Sequence, residues 1–298
     1  MELEAPADAA GERLDVFLAA PLGSRSQAQR LIAEGHVRVD GRPAQKGDRI
    51  KGGERITVDE VASAPLVPAA DAPVAQFAIA YEDDDLIVVD KPAGVVVHPA
   101  RGHREGTLAQ ALAGRAAGGE EDWRAGIVHR LDRKTSGLLV VAKSDEVHRR
   151  LKAALAARDI RREYLALVEG RPPARTGTIE APIGRDRRHR TRMSIDSEAP
   201  KPAITHFAFE QVLPQATLLR VRLQTGRTHQ IRVHLQSIGH PVCGDGDYGH
   251  KGLYGLERQF LHATRLAFEH PTTGTPLDIV SPLPPDLERA LAVAAGGG

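Results

Sequence analysis

The stretch Gly126-Ile127-Val128-His129-Arg130-Leu131-Asp132-Arg133-Lys134-Thr135-Ser136-Gly137 constrains the fold more than any other. It sets one acid, Asp132, among Arg130, Arg133 and Lys134, with His129 beside them. Directly after it comes Leu138-Leu139-Val140-Val141-Ala142, an apolar run of the length and type of a buried strand. A chain that buries this run puts the acid at the strand's mouth. Nearby cations favour the charged form of a carboxylate. Such an arrangement suits presentation of a reactive carboxylate to an anionic substrate such as nucleic acid. The plainer interpretation is a surface salt bridge, because perturbed charges are often only structural. The rest of the chain decides between the two.

A length of 298 residues suggests one large domain or two. The 41% apolar content is ample for a core, and the 27% charged content is that of a soluble protein. A net charge of +1 does not announce a nucleic-acid binder, so that case must come from clustering. Cys243 is the lone cysteine, which excludes an intrachain disulfide and disfavours a cysteine metal site. The acidic start Met1-Glu2-Leu3-Glu4-Ala5 does not have the form of a signal peptide. No stretch approaches the ~18 apolar residues of a membrane span. A reducing, cytoplasmic setting is expected, with no membrane partner. At 4% aromatic residues, an extended base-stacking platform is not expected.

Residues 12–60 read as a small α/β unit. Leu14, Val16, Phe17 and Leu18 supply the apolar side of a first helix. Ser24 with Gln27 has the form of a capping box opening a second helix, which Gly35 ends. His36–Val39 and Arg55–Val58 read as strands, with Asp40-Gly41 as a turn. Residues 61–76 are rich in Ala and Pro and read as a linker. From 77 to 293 hairpins mix with helices, which predicts an α+β domain on a largely antiparallel or mixed sheet. Leu86–Asp90 and Val95–Val97 are expected to pair across a Lys91-Pro92-Ala93-Gly94 turn. Ser144 caps a helix carrying Val147, Leu151 and Leu155. Strands are expected at Tyr164–Val168, Thr217–Leu223, Phe260–Phe268 and Leu277–Val280, and a last helix from Pro284.

Two further clusters bear on chemistry. Arg185, Arg187, Arg188, Arg190 and Arg192 surround one acid, Asp186, and repulsion makes such a run costly without an anionic partner. Arg149, Arg150, Lys152, Arg158, Arg161 and Arg162 bracket the helix after the opening motif and extend the expected positive surface. On a helix from about Thr228 to Ser237, His229, Arg232 and Gln236 share a polar face, while Ile231, Leu235 and Ile238 share an apolar one. His229, His234, His240 and Cys243 match no common zinc spacing, so no metal is expected. Neither GxxxxGK[ST] nor GxGxxG occurs, so no nucleotide cofactor is indicated.

Arg13-Leu14-Asp15, Ser24 through Ile32 and Gly35 through Gly41 resemble an S4 RNA-binding domain. That resemblance places RNA contacts on Arg25, Arg30 and Arg38. Residues 12–290 resemble an RluA-like pseudouridine synthase of the large-subunit ribosomal RNA type with an S4 domain in front. The resemblance rests on His129 through Gly137, Arg162 through Ala166, Gly226 through His234 and Lys91 through Gly94. It implies isomerisation of uridine without a cofactor, on a base flipped from its stack. It assigns catalysis to Asp132, attacking C1′ or removing the C2′ proton, with Arg232 as its ion-pair partner. Tyr164 would pack on the target base and relay the C5 proton, and Arg130 would enter the vacated space or contact the neighbouring bases. His129 is expected to be structural. The partner is expected to be ribosomal RNA, with tRNA as the alternative, and the enzyme a monomer. A non-catalytic S4-type assembly factor would not need Asp132, Tyr164 and Arg232 together. A metal-dependent RNA-cleaving enzyme using the histidines would be inhibited by a chelator.

Overall fold

The structure, a computed structural model, describes residues 1–22, 25–59, 75–99, 105–119, 125–189 and 191–297, without the side chains of 25–27 and 30. The expected Ser24–Gln27 cap, most of the linker, Arg190 and the side chains of Arg25 and Arg30 lie outside the described residues.

The N-terminal sheet begins ahead of residue 12. Strand β1 (Glu2–Glu4) is followed by three short helices, α1 (Leu14–Phe17), α2 (Ala19–Leu22) and α3 (Arg25–Ala33). Strands β2 (Val37–Val39), β3 (Arg42–Pro43) and β4 (Arg55–Val58) complete a sheet in the order β1-β4-β2-β3. Leu14, Leu18, Leu31, Val37 and Ile56 form its core, whereas Val16 points to solvent. The buried Asp15 carboxylate accepts from Arg13 Nε at 2.8 Å and Gln29 Nε2 at 2.5 Å, which joins α1 to α3.

The larger sheet starts with the hairpin β5 (Ala78–Glu82) and β6 (Leu86–Lys91). Asp83 makes its turn by accepting the Asp85 and Leu86 amides, each at 2.9 Å. The expected strand at Val95–Val97 does not form. The Val96 and Val97 carbonyls instead accept the first amides of α4 (Leu108–Ala111), at 2.9 and 3.0 Å. These are the orphan donors every helix start must satisfy, and Thr107 completes a capping box there.

Strand β7 (Ser136–Ala142) is buried along its whole length. It leads into α5 (Asp145–Ala157), capped by Ser144 as expected. The strands β8 (Arg161–Glu169), β9 (Thr176–Glu180), β10 (Gly184–Arg185), β11 (Met193–Ser194), β12 (Ile204–Val212) and β13 (Ala216–Leu223) precede α6 (Gln230–Ser237). β14 (Leu261–Glu269), β15 (Pro276–Val280) and α7 (Pro285–Ala294) end the chain. The described residues give one nine-stranded sheet, β5-β6-β7-β14-β8-β13-β12-β9, with β15 also on β14. Among the described strands only β7 and β14 run parallel. The fold is thus α+β on a mostly antiparallel sheet.

The parallel crossing carries the site. Gly137 has φ +111°, and a Cβ there would lie 2.2 Å from the Ala263 carbonyl oxygen. Only glycine lets β7 meet β14 so closely. This fixes where the loop ending at Thr135 leaves the sheet.

Candidate active site

Asp132 stands on that loop, with its side chain 19% exposed. Leu131, next to it, is buried against Tyr164 and Ile231 in the core. Lys91 holds the loop from below. It is fully buried and donates to the carbonyls of Pro92, Val95 and Arg133 at 2.9, 3.0 and 3.2 Å. Burial pushes its ammonium down to about 7, while three carbonyl acceptors satisfy its three donors. His129 Nε2 accepts the Val140 amide at 3.2 Å. Burial, then the charge of Arg162, pushes its pKa down to about 3. A neutral acceptor is a structural role.

Arg232 comes from α6. Its Nη1 meets Asp132 Oδ2 at 3.3 Å, an ion pair spanning the two motifs. Two further acids hold it more tightly. Asp245, with no exposed side-chain surface, accepts from Nε at 2.6 Å and Nη2 at 2.8 Å. Asp247 accepts from Nη2 at 2.7 Å. The Tyr248 ring lies 4.9 Å from the guanidinium carbon. Burial opposes the Arg232 charge, but Asp245, helped by Asp132 and Asp247, outweighs it and raises the guanidinium pKa.

The expected amphipathic split of this helix is not found. His229 is its N-cap, in the left-handed region at φ 56°, and Gln230 through Leu235 are all buried. Gln230 and His234 both reach the hydroxyl of Thr205 on β12, at 3.0 and 2.9 Å. Polar side chains therefore pack inward because β12 supplies their partners. His240 bonds the Glu169 carbonyl at 2.8 Å. Among the described residues no three His, Cys, Asp or Glu side chains are grouped to hold a metal ion.

Arg130, Leu131, Asp132, Tyr164, Arg227 and Arg232 help line a recess of about 50 Å³. A neighbouring cleft of about 260 Å³ shares Asp132, His229 and Arg232 and is walled by Gly244–Asp247. Asp132 sits where the two join. Tyr164 is buried on β8, and burial raises its phenol pKa. Arg130 is exposed at the rim.

These findings bring Asp132, Tyr164, Arg232 and Arg130 together. The chain belongs to the RNA pseudouridylate synthase family. That family's signature matches residues 85–237, and the S4 domain signature matches residues 12–56. An uncharacterised RNA pseudouridine synthase of Chloroflexus aurantiacus is 46% identical, over 96% of this chain and 91% of that protein. The ribosomal large subunit pseudouridine synthase D of Nitrosomonas europaea is 44% identical, over 98% and 87%. The solved structure of human RNA pseudouridylate synthase domain containing 1 superposes with a TM-score of 0.57 at 30% identity, covering 74% of this chain and 90% of that one.

The outlying candidates in this pseudouridine synthase fall elsewhere. Arg185, Arg187 and Arg188 are exposed on the β10–β11 hairpin. Asp186, the acid in that run, accepts the Arg188 and His189 amides at 2.8 and 2.7 Å and so shapes the turn. Tyr248 joins the hairpin to the site: its hydroxyl accepts the Met193 amide at 2.8 Å and bonds His229 Nδ1 at 2.9 Å. Arg38 is exposed on the N-terminal sheet, with Nη1 donating to the Gly41 carbonyl at 3.3 Å.

The second expected cationic surface is partly paired. Glu146 pairs with both Arg149 and Arg150, and Glu163 with Arg161. Arg162 is buried rather than on the surface. Sequence reasoning missed Asp245, Asp247 and Tyr248. Their signal was the Gly244-Asp245-Gly246-Asp247-Tyr248 run: acids between glycines that a buried helical arginine requires.

Proposed function

We propose that the enzyme isomerises uridine in large-subunit ribosomal RNA, with Asp132 acting at the ribose of a flipped nucleotide. The Asp132–Arg232 ion pair beside Tyr164 carries this reading. The reaction breaks the N1–C1′ bond and joins C5 to C1′. C5 then loses a proton and N1 gains one. Attack at C1′ and removal of the C2′ proton both need an ionised carboxylate that can move. A single 3.3 Å contact supplies charge without locking Asp132 in place. Tyr164 retains its proton at neutral pH, as burial favours. It therefore serves as a stacking surface and a hydroxyl relay rather than a phenolate base. Arg130 at the rim is placed to enter the gap the flipped base leaves.

Relatives named for the large ribosomal subunit, and the S4 match, support the RNA assignment. On this reading residues 12–60 bind RNA, 61–76 connect and 77–293 catalyse. Arg25, Arg30, Arg38 and the arginines at 185, 187, 188 and 190 then contribute phosphate contacts, which position RNA without reading its sequence. Among the described residues no helix is long and apolar enough to cross a membrane, and the enzyme is proposed to act as a cytoplasmic monomer. The test incubates purified enzyme with unmodified ribosomal RNA transcript and maps pseudouridine. Wild type should form it, and Asp132→Asn should bind RNA but form none. Turnover by Asp132→Asn would overturn the mechanism; product only on tRNA would overturn the substrate.

A further inference from the structure

Arg162 and Tyr164 alternate on β8, so both side chains leave the same face of the sheet. Arg162 is 9% exposed. Among the described residues its Nε has no hydrogen-bond partner, and no carboxylate pairs with its guanidinium. Other arginines of the domain are matched. Arg161 pairs with Glu163, Arg220 with Glu210, and Arg258 with Asp286. Lys91, buried more deeply still, has its carbonyl acceptors. A buried cation left unpaired is costly, and an unsatisfied buried donor calls for a cause.

Gly226 supplies a second observation. Its backbone lies outside the left-handed region, so conformation does not demand glycine there. A Cβ at 226 would instead sit 2.9 Å from Arg162 Nη1, over the tip of the side chain. The next residue, Arg227, lines the Tyr164 recess. Glycine thus lets the Arg162 tip pack against the backbone at 226, one residue from the recess lining. After burial, the charge of Arg162 is the largest influence on both His129 and Tyr164, so the guanidinium acts on the motif loop and on the ring alike.

We propose that Arg162 is an RNA phosphate site: it receives the phosphodiester next to the flipped uridine, and the close packing at Gly226 sets where its guanidinium tip stands. This deepens the reading of the recess as the uridine site and rests on it. The guanidinium fork is suited to paired hydrogen bonds to phosphate oxygens. Arg162 takes no part in bond making; it binds and positions the strand.

The experiment measures binding to a large-subunit ribosomal RNA transcript in an Asp132→Asn background, so that no turnover is needed. Arg162→Met should weaken binding about tenfold and reduce the slope of log K against log salt by about one phosphate's worth, ~0.7–0.9. Its free-state Tm should hold or rise, since an unpaired buried charge is removed. Gly226→Ala, which need only displace a flexible tip, should fold normally and weaken binding in the same direction. A lower Tm with unchanged affinity and unchanged salt slope would make Arg162 a structural residue and overturn the proposal. If Gly226→Ala, which pushes the Arg162 tip aside, binds as tightly as its parent, the proposal is refuted even where Arg162→Met does not fold. Failure of wild type to form pseudouridine, with these binding effects intact, would instead count against the uridine-site reading alone.

Discussion

Arg232 grips Asp245 through both Nε and Nη2, at 2.6 and 2.8 Å, yet reaches Asp132 through Nη1 alone, at 3.3 Å. The firmer partner is the enclosed acid behind it. Asp245 therefore aims the guanidinium, and Asp132 receives its free edge. Asp245→Asn removes the charge that Arg232 leans on but keeps the shape. Misplacement by about 1 Å can cost roughly 10²-fold in rate, and breaking a buried pair costs roughly 3–5 kcal/mol. We expect kcat to fall about 10²-fold with KM for RNA little changed, and the urea midpoint to drop. Single-turnover kinetics at native speed would show that Asp245 does not position Arg232.

Tyr248 couples the arginine hairpin to the same cation. Its hydroxyl takes the Met193 amide from β11 and bonds His229, while its ring faces Arg232. Tyr248→Phe keeps the ring and deletes both bonds. The loss of a buried partner costs roughly 1–3 kcal/mol. We expect kcat to fall by about tenfold and KM to rise, because the hairpin loses its anchor. In a double-mutant cycle with Arg187→Ala, the effects on KM should be non-additive. Additive effects would mean that the hairpin and Tyr248 act independently.

Much of this was legible from the chain. Leu138–Ala142 is apolar at every position, so its burial as β7 followed. Ser144 and Val147 announced the start of α5. Asp132, Tyr164 and Arg232 were singled out because their motifs resemble a family, and the fold brings them to one recess. What escaped depended on partners distant in sequence. Val95–Val97 has strand-like residues, but its carbonyls are taken by a helix start. β9 and β12 read poorly because β12 turns Thr205 inward to meet Gln230 and His234. Arg162 looked like one more surface cation, since burial of a charge leaves no local pattern.

Acid should loosen the motif loop through His129. In the folded enzyme burial holds its pKa near about 3, against an ordinary value of 6.5. Below 6.5 the unfolded chain takes up a proton that the folded one refuses. The contribution to stability is full above 6.5 and declines as pH falls toward 3. His129→Gln can still accept the Val140 amide and has no proton to take up. Urea denaturation between pH 4 and 8 should show a shallower acid decline for His129→Gln than for wild type. Identical slopes would mean that His129 is protonated in the folded enzyme as well.

Gly137 tests whether the crossing of β7 and β14 sets the site. A Cβ at 137 would lie 2.2 Å from the Ala263 oxygen, and backbone, unlike a side-chain tip, cannot swing aside. At φ +111° an alanine is strained as well. Gly137→Ala is expected to cost more than ~3 kcal/mol, placing it in the tail of single substitutions tied to a named backbone cause. Because Thr135 and Ser136 lead directly from Asp132 into this crossing, protein that still folds should also lose kcat. Thermal unfolding and turnover measured on the same preparation separate the two effects. A variant with wild-type Tm and activity would show that the strands can part at Ala263 without moving Asp132.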